Sequence, residues 1–347
     1  METLGGAEFA PTSTYLNTSF CGLLPRRSVE AVGRLAREIA DGRPEGSGST
    51  GAVEAARASF ARLVGVSADR VALGGSVAVH VGLIAASLPA GAEVVVPEGE
   101  FSSVVTPFTT RDLKVRYAPL DSLAEAVGPG TALVALSAAQ SADGRIADLP
   151  AVRAAAAGHG ARVLLDASQA AGWLPLDAGR YDYTVTAGFK YLLCPRGASF
   201  LTVTEEAQES LVPVHAGLYA AEDPAGSTYG PVEHFARSAR RYDEPPSYLS
   251  YHGAAQSLPL LEEAGIATVH AHATALAARF RDGLVRLGHE PVPGDSAIVG
   301  VPGLGERKPL LDRAGVVVSA RAGILRVSFH FYNSAADVDR ALDVLAG

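Results

Sequence analysis

Between residues 71 and 203 the chain repeats one theme: a short β-branched run, a helical stretch, then another β-branched run. "RVALGG", "EVVVPEG", "KVRYAPL", "TALVALSAAQ", "RVLLDAS" and "YDYTVTAGFK" read as strands, and "ASFLTVT" follows as a strand pair. "SVAVHVGLIAASL", "SSVVTPFTTR" and "DLPAVRAAAAGHG" read as the helices between them. Strands that alternate with helices predict an α/β architecture, a mostly parallel sheet covered by helices on both faces. Two amphipathic helices, "RRSVEAVGRLAREIADG" and "AVEAARASFARLVG", precede this region and flank the Gly/Ser-rich loop "RPEGSGSTG".

Around residues 220 to 250 Pro, Gly, Ser and Tyr take over, in "EDPAGSTYGPVEHF" and "RRYDEPPSYLSYHG". This stretch predicts a crossover between lobes. The helices "AAQSLPLLEEAG" and "ATVHAHATALAARFRDGLVRLG" come next, then "AIVGVPG", "GVVVSARAGILRVSFHFYN" and a closing helix "AADVDRALDVLAG". The predicted division is an N-terminal arm at 1–15, a large domain at 16–245 and a smaller α+β domain at 246–347.

Composition narrows the function. With 347 residues, 48% hydrophobic and 19% charged, the chain can cover both faces of a sheet. A formal net charge of -8 with no basic block argues against nucleic acid and anionic membranes. Cys21 and Cys194 are the two cysteines, far apart and without a CxxC pair, so neither a disulfide framework nor a zinc cluster is expected. No apolar run approaches the ~20 residues of a membrane span, and the first residues lack a signal-peptide pattern. A cytoplasmic protein is the expectation.

Ligands of open α/β sheets sit at the carboxyl ends of the strands, so the strand ends nominate a site. "RVLLD" ends at Asp166, Gln169 follows one turn later, and "YDYTVTAGFK" delivers Lys190. "RVALGGSV" closes on Gly75, Ser76 and Val77 at a helix start, where backbone N–H groups and a hydroxyl can cradle phosphate. A carboxylate, an amide, a lysine and a phosphate seat are what pyridoxal 5'-phosphate requires. Lys190 would hold its aldehyde as a Schiff base and exchange protons at Cα. Asp166 would keep the pyridine nitrogen protonated, and Gln169 would meet the 3' oxygen. Taken singly, each residue has a plainer explanation in a cap, a turn or a solvated face; the ordered combination does not.

The segment "VLLDASQAAGWLPLDAGRYDYTVTAGFKYLLCPRGASFLTV" resembles the cofactor segment of the class V aminotransferase family. These are fold-type I pyridoxal-phosphate enzymes, including cysteine desulfurases, isopenicillin N epimerase-like proteins and kynureninase. "YLNTSFCGLLPR", "GGSVAVHVGL", "PEGEFSSVVTPF" and "LRVSFHFYNSAADVDRALDVL" extend the likeness almost end to end. The resemblance implies that Phe101 stacks on the cofactor and that Arg326 grips a substrate α-carboxylate. It implies that Gln140 and Ser141 meet the cofactor edge and substrate, and that the protein is a homodimer.

Two departures matter. Ala187, Gly188 and Phe189 replace a small hydroxyl residue and a histidine that relatives use near phosphate, leaving Thr186, Ser76 and a residue from a partner subunit as candidates. Ser247 or Tyr248 stands in for the Gly-Thr that relatives lend across the dimer. The segment "VVVSARAGILRVS" carries no cysteine before Arg326, which disfavours persulfide-forming desulfuration. Arg321 lies in that segment and reads equally as a residue that reaches the substrate or as a solvated loop residue. His80, His270, His272 and His330 show no metal-ligand spacing and read as core or surface residues. The expectation is an enzyme acting at Cα or Cβ of a small amino-acid substrate, by transamination or C–S-lyase-type β-elimination. The alternatives are an epimerase of isopenicillin N type and a non-catalytic scaffold. "GSGSTG" follows a helix and lacks the G-x-G-x-x-G spacing of a dinucleotide-binding turn.

Overall fold

The structure, a computed structural model, describes residues 2–43 and 50–347; the expected loop "RPEGSGSTG" lies outside the described residues over 44–49. The first part comprises β1 (Thr14–Tyr15), α1 (Arg26–Ala40), α2 (Gly51–Leu63), β2 (Val71–Gly74), α3 (Val77–Ser87), β3 (Glu93–Pro97), α4 (Ser102–Thr109) and β4 (Lys114–Ala118). It continues through β5 (Thr131–Ser137), α5 (Leu149–His159), β6 (Arg162–Asp166), β7 (Tyr183–Ala187), β8 (Ser199–Val203) and the short α6 (Glu205–Gln208). The strands β2 to β8 form one seven-stranded sheet in the order β2-β8-β7-β6-β5-β3-β4. β7, β6, β5, β3 and β4 run parallel, while β8 is antiparallel to both its neighbours. The start of β8 therefore lies level with the carboxyl ends of β2 and β7.

Period-two alternation puts the two faces against different helices. Val94, Val96, Leu164 and Leu201 pack with Val81 and Ile84 of α3 and Val104 and Phe108 of α4. Val95, Val134, Val163 and Leu165 pack on the other side with Val152 and Ala156 of α5. Each such side chain, fully buried, contributes roughly 1.5–3 kcal/mol. Near β2 the second face is closed by α2, where Phe60 stacks on Phe200 at 4.1 Å.

The second part comprises α7 (Tyr248–Ala264), α8 (Ile266–Arg286), β9 (Ile298–Pro302), α9 (Lys308–Arg313), β10 (Val316–Val317), β11 (Ser319–Arg321), β12 (Ile324–Ser328) and α10 (Ala335–Ala346). β11, β12 and β9 form an antiparallel sheet. α7 starts six residues before the expected "AAQSLPLLEEAG", because Pro245 and Pro246 end the irregular segment and Ser247 takes the N-cap position. The helix α9 had no counterpart in the sequence reading. The arm is not free: β1 pairs with β10, and Asn17 bridges to Ser328.

α7 packs on α1 and α2, and its Tyr251 reaches the strand ends. The Tyr251 hydroxyl accepts the Gly74 N–H at 3.1 Å and lies 2.9 Å from the Gly74 and Ser199 carbonyls. Just before α7, Asp243 accepts two bonds from the Arg57 guanidinium, at 2.6 and 3.2 Å, and one from Leu73 N–H at 2.8 Å. Both charged partners are buried. Removing one side of such a pair costs about 3–5 kcal/mol, because the other charge stays buried. Asp243→Ala should therefore lower the urea midpoint by a corresponding amount. An Arg57→Met, Asp243→Leu double variant should recover most of that loss.

Candidate active site

One cavity opens at the carboxyl ends of β2, β6 and β7. Lys190, Asp166, Phe101, Gly75, Ser76 and Val77 all line it, so residues spread over more than a hundred positions converge. Ser168, Ser199 and Ser103 line it as well, and none of the three carried a sequence signal.

Lys190 follows β7 by three residues and is 8% exposed. Its backbone is clamped by the segment that follows the arm: Gly22 donates its N–H to the Phe189 carbonyl at 2.8 Å, and a Cβ on Gly22 would stand 2.1 Å from the Lys190 carbonyl oxygen. The ammonium makes no hydrogen bond among the described residues; its nearest aromatic neighbour is the Phe101 ring, 5.2 Å from Nζ to the centroid. Burial pulls the Lys190 pKa down to about 8, against the raising influence of Asp166 and with help from Arg326, Arg321 and Arg196. A fraction of the amine is therefore neutral and nucleophilic near pH 7.

Asp166 ends β6. Its Oδ1 accepts the Ser168 N–H at 2.8 Å, and the Ser168 side chain is a further hydrogen-bonding neighbour of the carboxylate. Burial raises its pKa, Lys190 and Ser168 act downward, and Glu100 adds to the rise. Glu100 is a further residue without a sequence signal. It accepts from Ser137 N–H, Ser137 Oγ, Phe101 N–H and Gln140 Nε2 at 2.6–3.0 Å, which fixes Phe101 at the head of α4.

Gln140 was expected beside substrate, but its amide is tied to Glu100 and it does not line the cavity. Thr186 was expected as a phosphate ligand, and its placement corrects that. It pairs with Phe200 on the α2 face of the sheet, whereas Ala187 pairs with Ser199 on the cavity face. The Gln169 Nε2 donates to Ser19 O at 3.0 Å and Ser141 Oγ at 3.1 Å, leaving Oε1 buried without a partner. A flip of that amide would present a donor at the same point. Ser247 is exposed and Tyr248 shares a 2.7 Å hydrogen bond with Tyr219. Cys194 is buried, which pushes its thiol well up, and Cys21 is half-buried and raised by the same cause.

Arg326 on β12 is 1% exposed, yet has no carboxylate partner among the described residues. Nη1 donates to the Ser141 carbonyl and to its hydroxyl at 3.0 Å, while Nε is buried with no partner. Desolvation lowers its pKa to about 10, partly offset by Tyr191 and assisted by Arg321. Arg196 lies 4.0 Å above the Phe189 ring, so positive charge reaches the position where a histidine was expected by way of the Cys-Pro-Arg-Gly turn.

The match along the sequence decides the family: residues 44–341 fit the model for aminotransferase class-V. The chain belongs to the class V aminotransferase family. It is a pyridoxal 5'-phosphate-dependent enzyme with the fold-type I architecture. The chain is 26% identical over 314 residues to "Uncharacterized aminotransferase YcbU" of Bacillus subtilis (strain 168), covering 84% of this chain and 83% of that protein. It is 28% identical over 403 residues to the isopenicillin N epimerase of Streptomyces clavuligerus, covering all of this chain and 98% of the relative. Among solved structures it is similar in fold to the cystine C–S lyase C-DES in complex with cysteine persulfide, with a TM-score of 0.87 at 21% identity over 96% of this chain and 97% of that one. The cysteine desulfurase of Thermococcus onnurineus NA1 gives 0.82 at 21% identity, over 96% and 94%.

The residues present fit this cofactor. A buried amine with no hydrogen-bond partner among the described residues and a buried carboxylate share a cavity with a helix N-terminus and an aromatic ring. Acylation of Lys190 by acetic anhydride in cofactor-free protein, followed by peptide mass, should reach its half-rise near pH 8. Asp166→Asn removes the charge that holds the proton on, so the half-rise should move to lower pH; a half-rise near 10.5 would contradict the geometry.

Proposed function

We propose that this enzyme takes an α-amino acid, removes its Cα proton with Lys190, and proceeds to transamination or C–S-lyase-type β-elimination. Arg326 carries the reading. A guanidinium that is 1% exposed, with a partnerless Nε and no carboxylate, is an anion site built in advance. Bound pyridoxal 5'-phosphate supplies a carbonyl for the amino group and a ring that accepts electron density from Cα.

The chain's own residues do the rest. Arg326 binds and orients the carboxylate. Lys190, partly neutral through burial, takes the Cα proton and can return it. Asp166 would stand as the anion that keeps the pyridine nitrogen protonated, and Phe101 would cover the ring and keep water from it. A persulfide route has little support: the raised pKa of Cys194 and Cys21 leaves each thiol protonated, and no third cysteine exists. The epimerase reading stays as the second, because a relative named isopenicillin N epimerase aligns over the whole chain. A homodimer in the cytoplasm fits the family and the two free thiols.

A panel of amino acids distinguishes the reactions. Keto acid with amino-form cofactor marks transamination, pyruvate with ammonia and sulfide marks β-elimination, and deuterium uptake at Cα with inverted product marks epimerisation. Absence of all three with every amino acid would promote the scaffold reading. Arg326→Ala should lower kcat/KM about 10- to 150-fold, the worth of a hydrogen-bonded charge contact, and unchanged kinetics would remove Arg326 from substrate binding.

A further inference from the structure

The chain lacks the hydroxyl residue and the histidine expected at positions 187 and 189, and the correction at Thr186 removes one replacement. A different hydroxyl stands at the right place. Ser199 is the first residue of β8, and antiparallel pairing sets it level with two strand ends at once. It is in register with Gly74 of β2 on one side and with Ala187 of β7 on the other. Gly74 leads directly into Gly75, Ser76 and Val77, the start of α3, and Ala187 lies three residues before Lys190. Ser199 therefore stands between the phosphate turn and the lysine, 1% exposed and lining the same cavity as both.

Its hydroxyl is also held. His80 on α3 places Nε2 3.0 Å from Ser199 Oγ, and the ring presses on Gly74, where a Cβ would stand 2.7 Å from Cε1. His80 is 1% exposed, and burial lowers its pKa to about 4, so it is neutral near pH 7. In the tautomer with the proton on Nε2, His80 donates to Ser199 Oγ and leaves the Ser199 proton free for an acceptor in the cavity. Ser76 is similarly disposed: its oxygen accepts the Val79 N–H at 3.4 Å, and its proton is free. Glu244 occupies the Gly75 N–H at 2.8 Å, so that donor is already committed and the hydroxyls gain in importance.

We propose that Ser199, aligned by His80, binds the phosphate of the cofactor together with the N-terminus of α3, doing the work of the residues absent at 187 and 189. Ser199 touches the ligand, and His80 is a positioning residue that acts through it. The inference rests on the cofactor assignment, and the two fail differently.

The test is equilibrium binding of pyridoxal 5'-phosphate and of pyridoxal, which lacks the phosphate, followed by absorbance in wild type, Ser199→Ala, His80→Leu and the double variant. Ser199→Ala should weaken pyridoxal 5'-phosphate about 10- to 100-fold and leave pyridoxal within about twofold. His80→Leu should give a smaller loss with the same selectivity, and should cost nothing further once Ser199 is alanine. A phosphorus NMR shift of the bound phosphate that changes in Ser199→Ala gives an independent readout. Equal weakening of both ligands, or no weakening of either, would overturn the inference. Wild type that binds neither ligand would instead defeat the cofactor assignment itself.

Discussion

Desolvation of one amine organises this molecule. Of the three lysines, Lys114 is exposed and Lys308 is paired with Asp312 at 2.6 Å; Lys190 alone is buried. A buried ammonium without a hydrogen-bonded anion is expensive, and nearby arginines make it more so. Asp166 opposes this by charge rather than by a hydrogen bond, and the balance leaves a fraction of the amine neutral near pH 7. The cost is met by the surrounding packing, where Gly22, the turn after β7 and Ser257 of α7 close around the backbone on either side of the lysine.

The antiparallel strand β8 is what turns a parallel sheet into this site. It brings Ser199 to the level of Gly74 and Ala187, and Tyr251 of α7 fastens that junction through Gly74 and Ser199 carbonyls. The Arg57–Asp243 pair fastens the same corner from the other side, through Val71 and Leu73. The turn into α3 thus depends on contacts from α2 and α7, made by Arg57 and Tyr251, neither of which was among the expected site residues. On the second side, Arg326 of β12 donates to Ser141 and Gln169 donates to the Ser19 carbonyl, which ties the small lobe and the segment after the arm to the loops that follow β5 and β6.

Much of this was legible in the sequence, for physical reasons. Strand–helix alternation fixes the sheet class, and strand ends fix which residues face a ligand, so Asp166, Lys190 and the Gly75–Val77 turn were readable. Residues that act through side-chain hydrogen bonds to distant elements were not. Glu100 works through Ser137 and Gln140, and Ser199 through His80, partners 37, 40 and 119 residues away. Thr186 failed because a strand end has two faces, and only the pairing with Phe200 or Ser199 reveals which face is the cavity. The start of α7 was hidden because Tyr, Ser and Gly resemble a loop until Tyr251 finds its buried partners.

The central claim is that Lys190 is the residue that bonds the cofactor. Borohydride reduction of the protein loaded with pyridoxal 5'-phosphate, then digestion and peptide mass mapping, tests it directly. A single phosphopyridoxyl adduct on the peptide bearing Lys190 is the predicted result. No adduct, or an adduct on Lys114 or Lys308, would contradict it.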